Sequence, residues 1–246
     1  MKLVSCLTAT HGRYKVLCEA VTCFVEQDYS DKELIILNNH PVPLVCDLPQ
    51  VTIYNEPGYQ TLGDCRNRLL ELADGEFVRT WDDDDLYLPW AISQGVEHIC
   101  DDIAWKPLYS IGWRVDRDQL YLGGNAYEAS WTVKTEIAKK FKYLSLSGGN
   151  EHNSLEIGIR KLGGIKKDDV QPSYAYRWGS GLVRISGSLN KNDLSEETTI
   201  KRTNRWCSHN DDHGNESPIK LVSLVPYWER IEKEGLWPGS KPRRNL

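Results

Sequence analysis

Apolar positions in the first hundred residues fall into two alternating patterns, short unbroken runs and longer stretches with helical spacing. Lys2 to Thr10 (KLVSCLTAT) is an apolar run that gives way to the polar turn His11-Gly12-Arg13, which predicts a buried strand ending in a loop. Val16, Leu17, Ala20, Val21, Phe24 and Val25 then recur at the spacing of a helix packed on a sheet. Glu33 to Leu37 (ELIIL) predicts a second strand, ending at Asn38-Asn39-His40-Pro41, and Val51 to Tyr54 (VTIY) a third. Between Thr61 and Ala73, the residues Leu62, Cys65, Leu69, Leu72 and Ala73 mark a second helix, stopped by Asp74-Gly75. Glu76 to Trp81 (EFVRTW) is a further strand, and it runs straight into four aspartates, Asp82 to Asp85. Strands separated by crossovers of this length predict parallel pairing and an α/β class.

Beyond the aspartates the rhythm changes. Pro89 to Cys100 has helical spacing, whereas Ile103 to Trp131 alternates apolar and polar residues around Gly112 and Gly123-Gly124, which predicts antiparallel strands added to the parallel sheet. Val133 to Phe141 and Leu155 to Leu162 predict two more helices, the second closed by Gly163-Gly164. Residues 186–217 are rich in Ser, Asn, Asp and Thr and predict a mobile loop or lid, followed by a last helix from Leu221 to Ile231 and a tail, Lys241-Pro242-Arg243-Arg244, expected to be disordered when free.

A hydrophobic content of 40% and a charged content of 26% over 246 residues are ordinary for a globular chain able to bury a full core. No run approaches the roughly 18 consecutive apolar residues of a membrane span. The apolar run in MKLVSCLTATHGR is too short for a secretory signal, so an unexported, cytoplasmic protein is expected. Cys6, Cys18, Cys23, Cys46, Cys65, Cys100 and Cys207 are odd in number and form no CxxC pair, which predicts reduced thiols. Charge changes the picture more. Residues 1–133 carry 10 basic and 21 acidic side chains, and residues 134–246 carry 20 and 14, so an acidic half able to hold a cation precedes a basic half able to meet an anion.

Four consecutive aspartates at the end of a buried strand raise one another's pKa and repel, a cost that a divalent cation removes. Mg²⁺ or Mn²⁺ prefers carboxylate oxygens and keeps positions open for water and phosphate. A solvated acidic turn or a calcium loop is the alternative. The position favours a ligand site, because open α/β sheets bind ligands at the carboxyl ends of their strands.

The succession SCLTATHGR, FVEQDYSDKELIIL and CRNRLLELADGEFVRTWDDDDLYLP resembles the nucleotide-binding half of family 2-like GT-A glycosyltransferases, over about the first ninety residues. That resemblance implies a GT-A type three-layer α/β/α fold with a mostly parallel nucleotide-binding sheet and an antiparallel acceptor-side extension. It implies one catalytic domain over 1–246, with a nucleotide-sugar and metal half (1–100) and an acceptor half with a C-terminal loop and tail (101–246). Carried over by position, Thr8, Ala9, Thr10 and Arg13 are expected to line the nucleobase and ribose. Arg66-Asn67 matches the pair near base and phosphates, and Gln27 and Tyr29 sit in a structural Q-x-Y turn. Asp82 and Asp84 match the D-x-D that touches ribose and binds Mn²⁺ or Mg²⁺, with Asp83 between them in the nucleotide site and Asp85 and Pro89 completing the pattern. Asn38 and Asn39 stand where the family usually has an aspartate that accepts the base imide proton. An amide both donates and accepts, so the base stays open, with uracil favoured as the commonest.

An inverting transfer needs a general base, which the resemblance assigns to Glu151 with His152 as second choice; a helix cap by Asn150 or Glu151 is the competing reading. His209 or His213 is a candidate third metal ligand or diphosphate contact, and Arg177 is expected to meet the diphosphate. Trp105, Trp113, Trp131, Trp178 and Trp206 lie in the half expected to hold the acceptor, alongside Lys139-Lys140, Lys142, Lys166-Lys167, Lys201-Arg202, Arg205 and Arg243-Arg244. The expected reaction is hexosyl or pentosyl transfer from a nucleotide-diphosphate sugar, UDP-linked by preference, to a hydroxyl of a saccharide or glycoconjugate. Hydroxymethylated pyrimidine in DNA, the substrate of small virus-encoded relatives, is the alternative acceptor and accounts for the basic second half. A non-catalytic sugar or nucleic-acid binding module is the rival class, against which the intact Asp82-x-Asp84 argues.

Overall fold

Unbroken apolar strands need cover on both faces, and the computed structural model, which describes residues 2–125, 127–146, 150–178 and 216–236, supplies it. At the centre lies β1 (Val4–Thr10), hydrogen-bonded in parallel to β2 (Lys32–Asn38) on one side and to β4 (Phe77–Thr80) on the other. β3 (Val51–Asn55) extends the sheet beyond β2, again in parallel. Alternate residues serve opposite faces. Val4, Cys6, Leu34, Ile36 and Phe77 pack in one core with Leu17, Val21 and Phe24 of α1 (Tyr14–Val25) and Ile92 and Ile99 of α3 (Ala91–Ile99). Leu7, Ile35, Leu37 and Val78 pack in the other with Cys65 and Leu69 of α2 (Leu62–Leu72), Ala138 of α4 (Thr135–Phe141) and Leu155 and Ile159 of α5 (Asn153–Lys161). This is the expected three-layer arrangement.

Past β4 antiparallel strands are present as expected, but their placement is corrected in two ways. β6 (Ala104–Pro107) joins the main sheet, but the strand that runs antiparallel to it and to β4 is β9 (Thr132–Lys134), in a segment whose spacing predicted the start of a helix. The β-branched pair Thr132-Val133 favours extended backbone, and the helix begins only at Thr135. β10 (Lys166–Asp168) completes a sheet of order β10-β6-β9-β4-β1-β2-β3. The second correction is that β7 (Tyr109–Arg114) and β8 (Gln119–Gly124) belong to a separate four-stranded sheet, β5-β11-β7-β8. Its other members, β5 (Leu86–Tyr87) and β11 (Tyr174–Trp178), flank the acidic loop in space although 86 residues lie between the paired Tyr87 and Tyr174. The last described helix, α6 (Val225–Lys233), starts four residues later than its apolar pattern predicted, with Pro226 in its first turn.

The six described cysteines, Cys6, Cys18, Cys23, Cys46, Cys65 and Cys100, are free thiols, as expected, and Cys207 lies outside the described residues. Trp105, Trp113 and Trp131 are buried core residues, not stacking platforms. Among the described residues no helix is long and apolar enough to cross a membrane.

α2 is the element that carries sheet geometry into the site. Thr61 caps its start, accepting from Asp64 N at 3.1 Å, and Thr61 Oγ1 donates to Asp64 Oδ2 at 2.6 Å. Gly63 lets the segment before Asn150 lie directly on the helix: its N–H donates to the Leu146 carbonyl at 3.0 Å, and a Cβ there would fall 1.7 Å from the Leu144 carbonyl oxygen. Four residues on, Asn67 receives the Tyr143 N–H at 2.8 Å and donates to the Tyr143 carbonyl at 2.9 Å. Leu144 N in turn donates to the Glu151 carbonyl at 2.7 Å. Gly63→Ala is therefore expected to push this segment off α2 and to lower stability by about 1–3 kcal/mol, read as a drop in the urea midpoint with an unchanged slope. A midpoint equal to wild type would show that the close approach at Gly63 does not matter.

Candidate active site

The acidic loop follows β4 at the carboxyl end of the central sheet, and its four carboxylates divide into two kinds. Asp83 and Asp85 are buried and hold the frame. Asp83 accepts from Thr10 Oγ1 at 2.7 Å and lies 2.9 Å from Arg13 Nη1. Asp85 accepts from the Arg177 backbone N–H at 2.9 Å and from the Tyr174 hydroxyl, so it ties the loop to β11. Asp82 and Asp84 point the other way, with side chains 31% and 13% exposed. Asp82 pairs with Arg66 Nη2 at 2.8 Å and Asp84 with Arg13 Nη2. Burial pushes the Asp83 carboxyl up to about 6 against the opposing pull of Arg13, and it also raises Asp82 against the pull of Arg66.

Arg66, on the face of α2 turned toward the sheet, gathers three carboxylates that are far apart in sequence. Its Nη2 meets Asp82, and its Nη1 lies 2.7 Å from Glu151 Oε1 and 3.3 Å from Glu128 Oε2. Burial works against a charged guanidinium, yet Glu128, Asp82 and Glu151 together hold Arg66 well above its usual value, so it stays protonated. Glu128 is the residue the sequence reading missed. Its Oε1 accepts from Thr80 Oγ1 at 2.6 Å and from the Tyr143 hydroxyl at 2.5 Å, and burial followed by the Glu128 charge pushes the Tyr143 hydroxyl well above its usual value. The available signal was a lone acidic residue among the apolar neighbours of Tyr127-Glu128-Ala129-Ser130-Trp131, where a charge is costly without a partner.

Several residues expected at the nucleotide have internal hydrogen-bond partners. Thr8 Oγ1 donates to the Trp81 carbonyl at 2.7 Å, and Thr8 and Thr10 are fully buried, while Ala9 is half-buried between them. Asn38 Nδ2 donates to the Val42 carbonyl at 2.9 Å and to Asn55 Oδ1 at 2.8 Å, and its Oδ1 accepts from His40 N. Asn39 Oδ1 accepts from Gly58 N and Tyr59 N at 2.8 and 2.9 Å. Both amides shape the loops after β2 and β3. Asn67 holds Tyr143, as described above. Arg177 lies beneath the acidic loop: its Nε donates to the Asp84 carbonyl at 2.7 Å, its Nη1 meets Glu19 Oε2 at 2.6 Å, and Tyr227 of α6 donates to the same Glu19 at 2.6 Å. A guanidinium so placed braces the loop from behind. Glu151 is buried on Arg66, so its carboxylate is not a helix cap; His152 holds the cap position of α5 without a side-chain cap bond, its ring 6.1 Å from Trp131. His209 and His213 lie outside the described residues.

Asp82 to Asp85 with Glu128 and Glu151 make six carboxylates, which Arg13 and Arg66 only partly neutralise, Arg177 being balanced by Glu19. That excess negative charge, built from hard oxygen donors, fits a divalent cation such as Mn²⁺ or Mg²⁺. No group of three or more histidine, cysteine or acidic side chains forms a ready-made metal cage among the described residues.

A mostly parallel sheet of this topology with an acidic loop at its carboxyl edge is the arrangement of an α/β protein of GT-A type. The family model for glycosyl transferase family 2 matches residues 5–155, and the chain belongs to that family. Among curated relatives, a protein of Escherichia coli K12 assigned by name to colanic acid biosynthesis as a glycosyl transferase, WcaA, is 30% identical over 104 residues, 39% of this chain and 37% of its own length. This chain thus matches little more than a third of that relative. Residues 1–349 of S. aureus TarS in complex with UDP-GlcNAc superpose with a TM-score of 0.59 at 13% identity, over 97% of this chain and 81% of that one. The mannosyltransferase PcManGT from Pyrobaculum calidifontis, in complex with GDP-Man and Mn²⁺, gives 0.53 at 14% identity over 77% and 58% of the two chains. At these identities the likeness is one of fold.

Removing Arg66 leaves buried carboxylates without their counter-charge. Arg66→Gln is expected to cost about 3–5 kcal/mol of stability by urea denaturation, and Glu128→Gln in the same chain to restore part of that loss. Equal stability of Arg66→Gln and wild type would show that the three-carboxylate clamp is not what holds this region.

Proposed function

We propose that this protein is a metal-dependent glycosyltransferase that moves a sugar from a nucleotide diphosphate, UDP-linked by preference, to a hydroxyl of a saccharide or glycoconjugate. One observation carries the reading: the two terminal nitrogens of Arg66 hold Asp82 and Glu151, so a carboxylate 85 residues further along the chain sits beside the acidic loop. Donor end and proton acceptor are thereby fixed on one guanidinium, itself fixed by Glu128. Asp84 and Asp82 are the residues to hold Mn²⁺ or Mg²⁺, which when bound offsets the charge that builds on the departing diphosphate. Glu151 takes the proton from the attacking hydroxyl, and Arg66 orients it and keeps its negative charge compensated until it does so. His152, half-buried against Trp131, is the second choice for that role.

With Asn38 and Asn39 engaged internally, the preference for uracil rests on the commonness of UDP donors in the family and on the UDP-GlcNAc complex of TarS. A saccharide acceptor is supported by the colanic acid assignment of the E. coli relative. The DNA acceptor rests largely on Lys201, Arg202 and Arg205, which lie outside the described residues, and it stands second. A single catalytic domain working in the cytoplasm completes the proposal.

Two substitutions test it on separate readouts. Glu151→Gln keeps size and hydrogen bonding but cannot take a proton, so kcat is expected to fall by about 10²-fold or more while UDP-sugar affinity holds. Asp84→Asn is expected to remove Mn²⁺-dependent UDP binding by calorimetry and leave the fold intact. Full turnover by Glu151→Gln, with His152→Ala inactive, would move the base by one residue. Undiminished turnover of Asp84→Asn in chelator would exclude the metal role.

A further inference from the structure

Both carboxylates proposed to hold the metal already have a cationic partner, and the two partners are held very differently. Arg66 is buried on α2 and locked by three carboxylates. Arg13 is anchored on the acidic loop itself: Nη1 lies 2.9 Å from Asp83 Oδ1, and Nη2 meets Asp84 Oδ2. It precedes the first turn of α1, next to Gly12 with φ +67°, and its side chain keeps 12% exposure. Arg13 is thus a long side chain hinged at the mouth of the site, bridging the two neighbouring aspartates with its fork.

A divalent cation and a guanidinium on the same Asp84 carboxylate repel each other across a few ångströms of low-dielectric protein. Metal binding alone must therefore displace Arg13 and leave its charge without the Asp84 contact. A nucleotide diphosphate changes that balance, because its oxygens offer a fork-shaped donor a new bidentate partner beside the cation. We infer that Arg13 is a built-in counter-ion for the acidic loop that leaves Asp84 when the metal binds and then takes the diphosphate, making metal and nucleotide binding cooperative. The inference rests on the metal site proposed above and adds to it a reason for order: Arg13 weakens metal binding in the absence of nucleotide and strengthens nucleotide binding in the presence of metal. By linkage, nucleotide then strengthens metal binding by the same factor by which metal strengthens nucleotide binding.

The test counts bound Mn²⁺ from the loss of the free-ion EPR signal, for wild type, Arg13→Gln and Arg13→Lys, each with and without UDP. Arg13→Gln is expected to bind Mn²⁺ alone about 10-fold more tightly than wild type, and UDP is expected to strengthen Mn²⁺ binding less in the variant than in wild type. Arg13→Lys, which keeps the charge but cannot bridge Asp83 and Asp84, is expected to fall between, and it decides the matter if Arg13→Gln does not fold. Adding Asp84→Asn to Arg13→Gln is expected to abolish the gain. If neither Arg13 variant binds Mn²⁺ more tightly than wild type, the counter-ion role is overturned, while Mn²⁺ binding by wild type with UDP still upholds the metal site. If wild type takes up no Mn²⁺ even with UDP, the metal site itself fails and the inference with it.

Discussion

Compensation of buried negative charge by arginine is the constraint around which this site is built. Carboxylates withdrawn from water carry a desolvation cost of several kcal/mol each unless a cation and further hydrogen bonds accompany them. Arg66 meets that need for Asp82, Glu128 and Glu151 at once, and Thr80 and Tyr143 both donate to the other oxygen of Glu128. One guanidinium therefore fixes α2, the acidic loop, the turn before β9 and the start of α5 relative to one another. The excess of carboxylate that remains is charge that a divalent cation would offset.

The acidic loop is braced from a second direction. Asp85 receives Tyr174 and the Arg177 backbone, and Arg177 reaches past the Asp84 carbonyl to Glu19 of α1 and packs 5.5 Å from the ring of Tyr227 on α6. The second sheet and the last described helix thus bear on the same four residues as the central sheet. Trp81, the residue just before the aspartates, is fully buried, stacks on Tyr87 at 3.7 Å and donates from Nε1 to the Ala20 carbonyl at 2.9 Å. Four side chains of like charge can stand in sequence here because Arg66 takes Asp82, Arg13 bridges Asp83 and Asp84, and Tyr174 with the Arg177 backbone takes Asp85.

The contrast between frame and mouth also sorts the polar residues by use. Thr8, Thr10, Asn38, Asn39 and Asn67 are buried or half-buried and have internal partners, so their polarity shapes loops. Asp82, Asp84 and Arg13 remain partly open at the end of the central strands, where a ligand of an open α/β sheet is reached. Polarity at the carboxyl edge of a sheet is accordingly a poor guide to ligand contact until the hydrogen bonds are counted.

Local periodicity in the sequence determined β1, α1, β2, β3, α2 and β4, because strands covered on both faces are unbroken apolar runs and helices on a sheet repeat at helical spacing. The acidic run at the end of β4 was equally legible, since four adjacent aspartates at the end of a buried strand are costly without a cation or internal pairing. Glu151 was reached through resemblance. Tertiary structure alone decided the rest: that β9 and not β6 runs antiparallel, that β7 and β8 leave the main sheet, that Glu128 joins Arg66, and that Arg177 braces the loop from behind. Each of these is a pairing between segments tens of residues apart, and such pairings depend on which partner balances a buried charge or completes a sheet edge, information that no single stretch of chain contains.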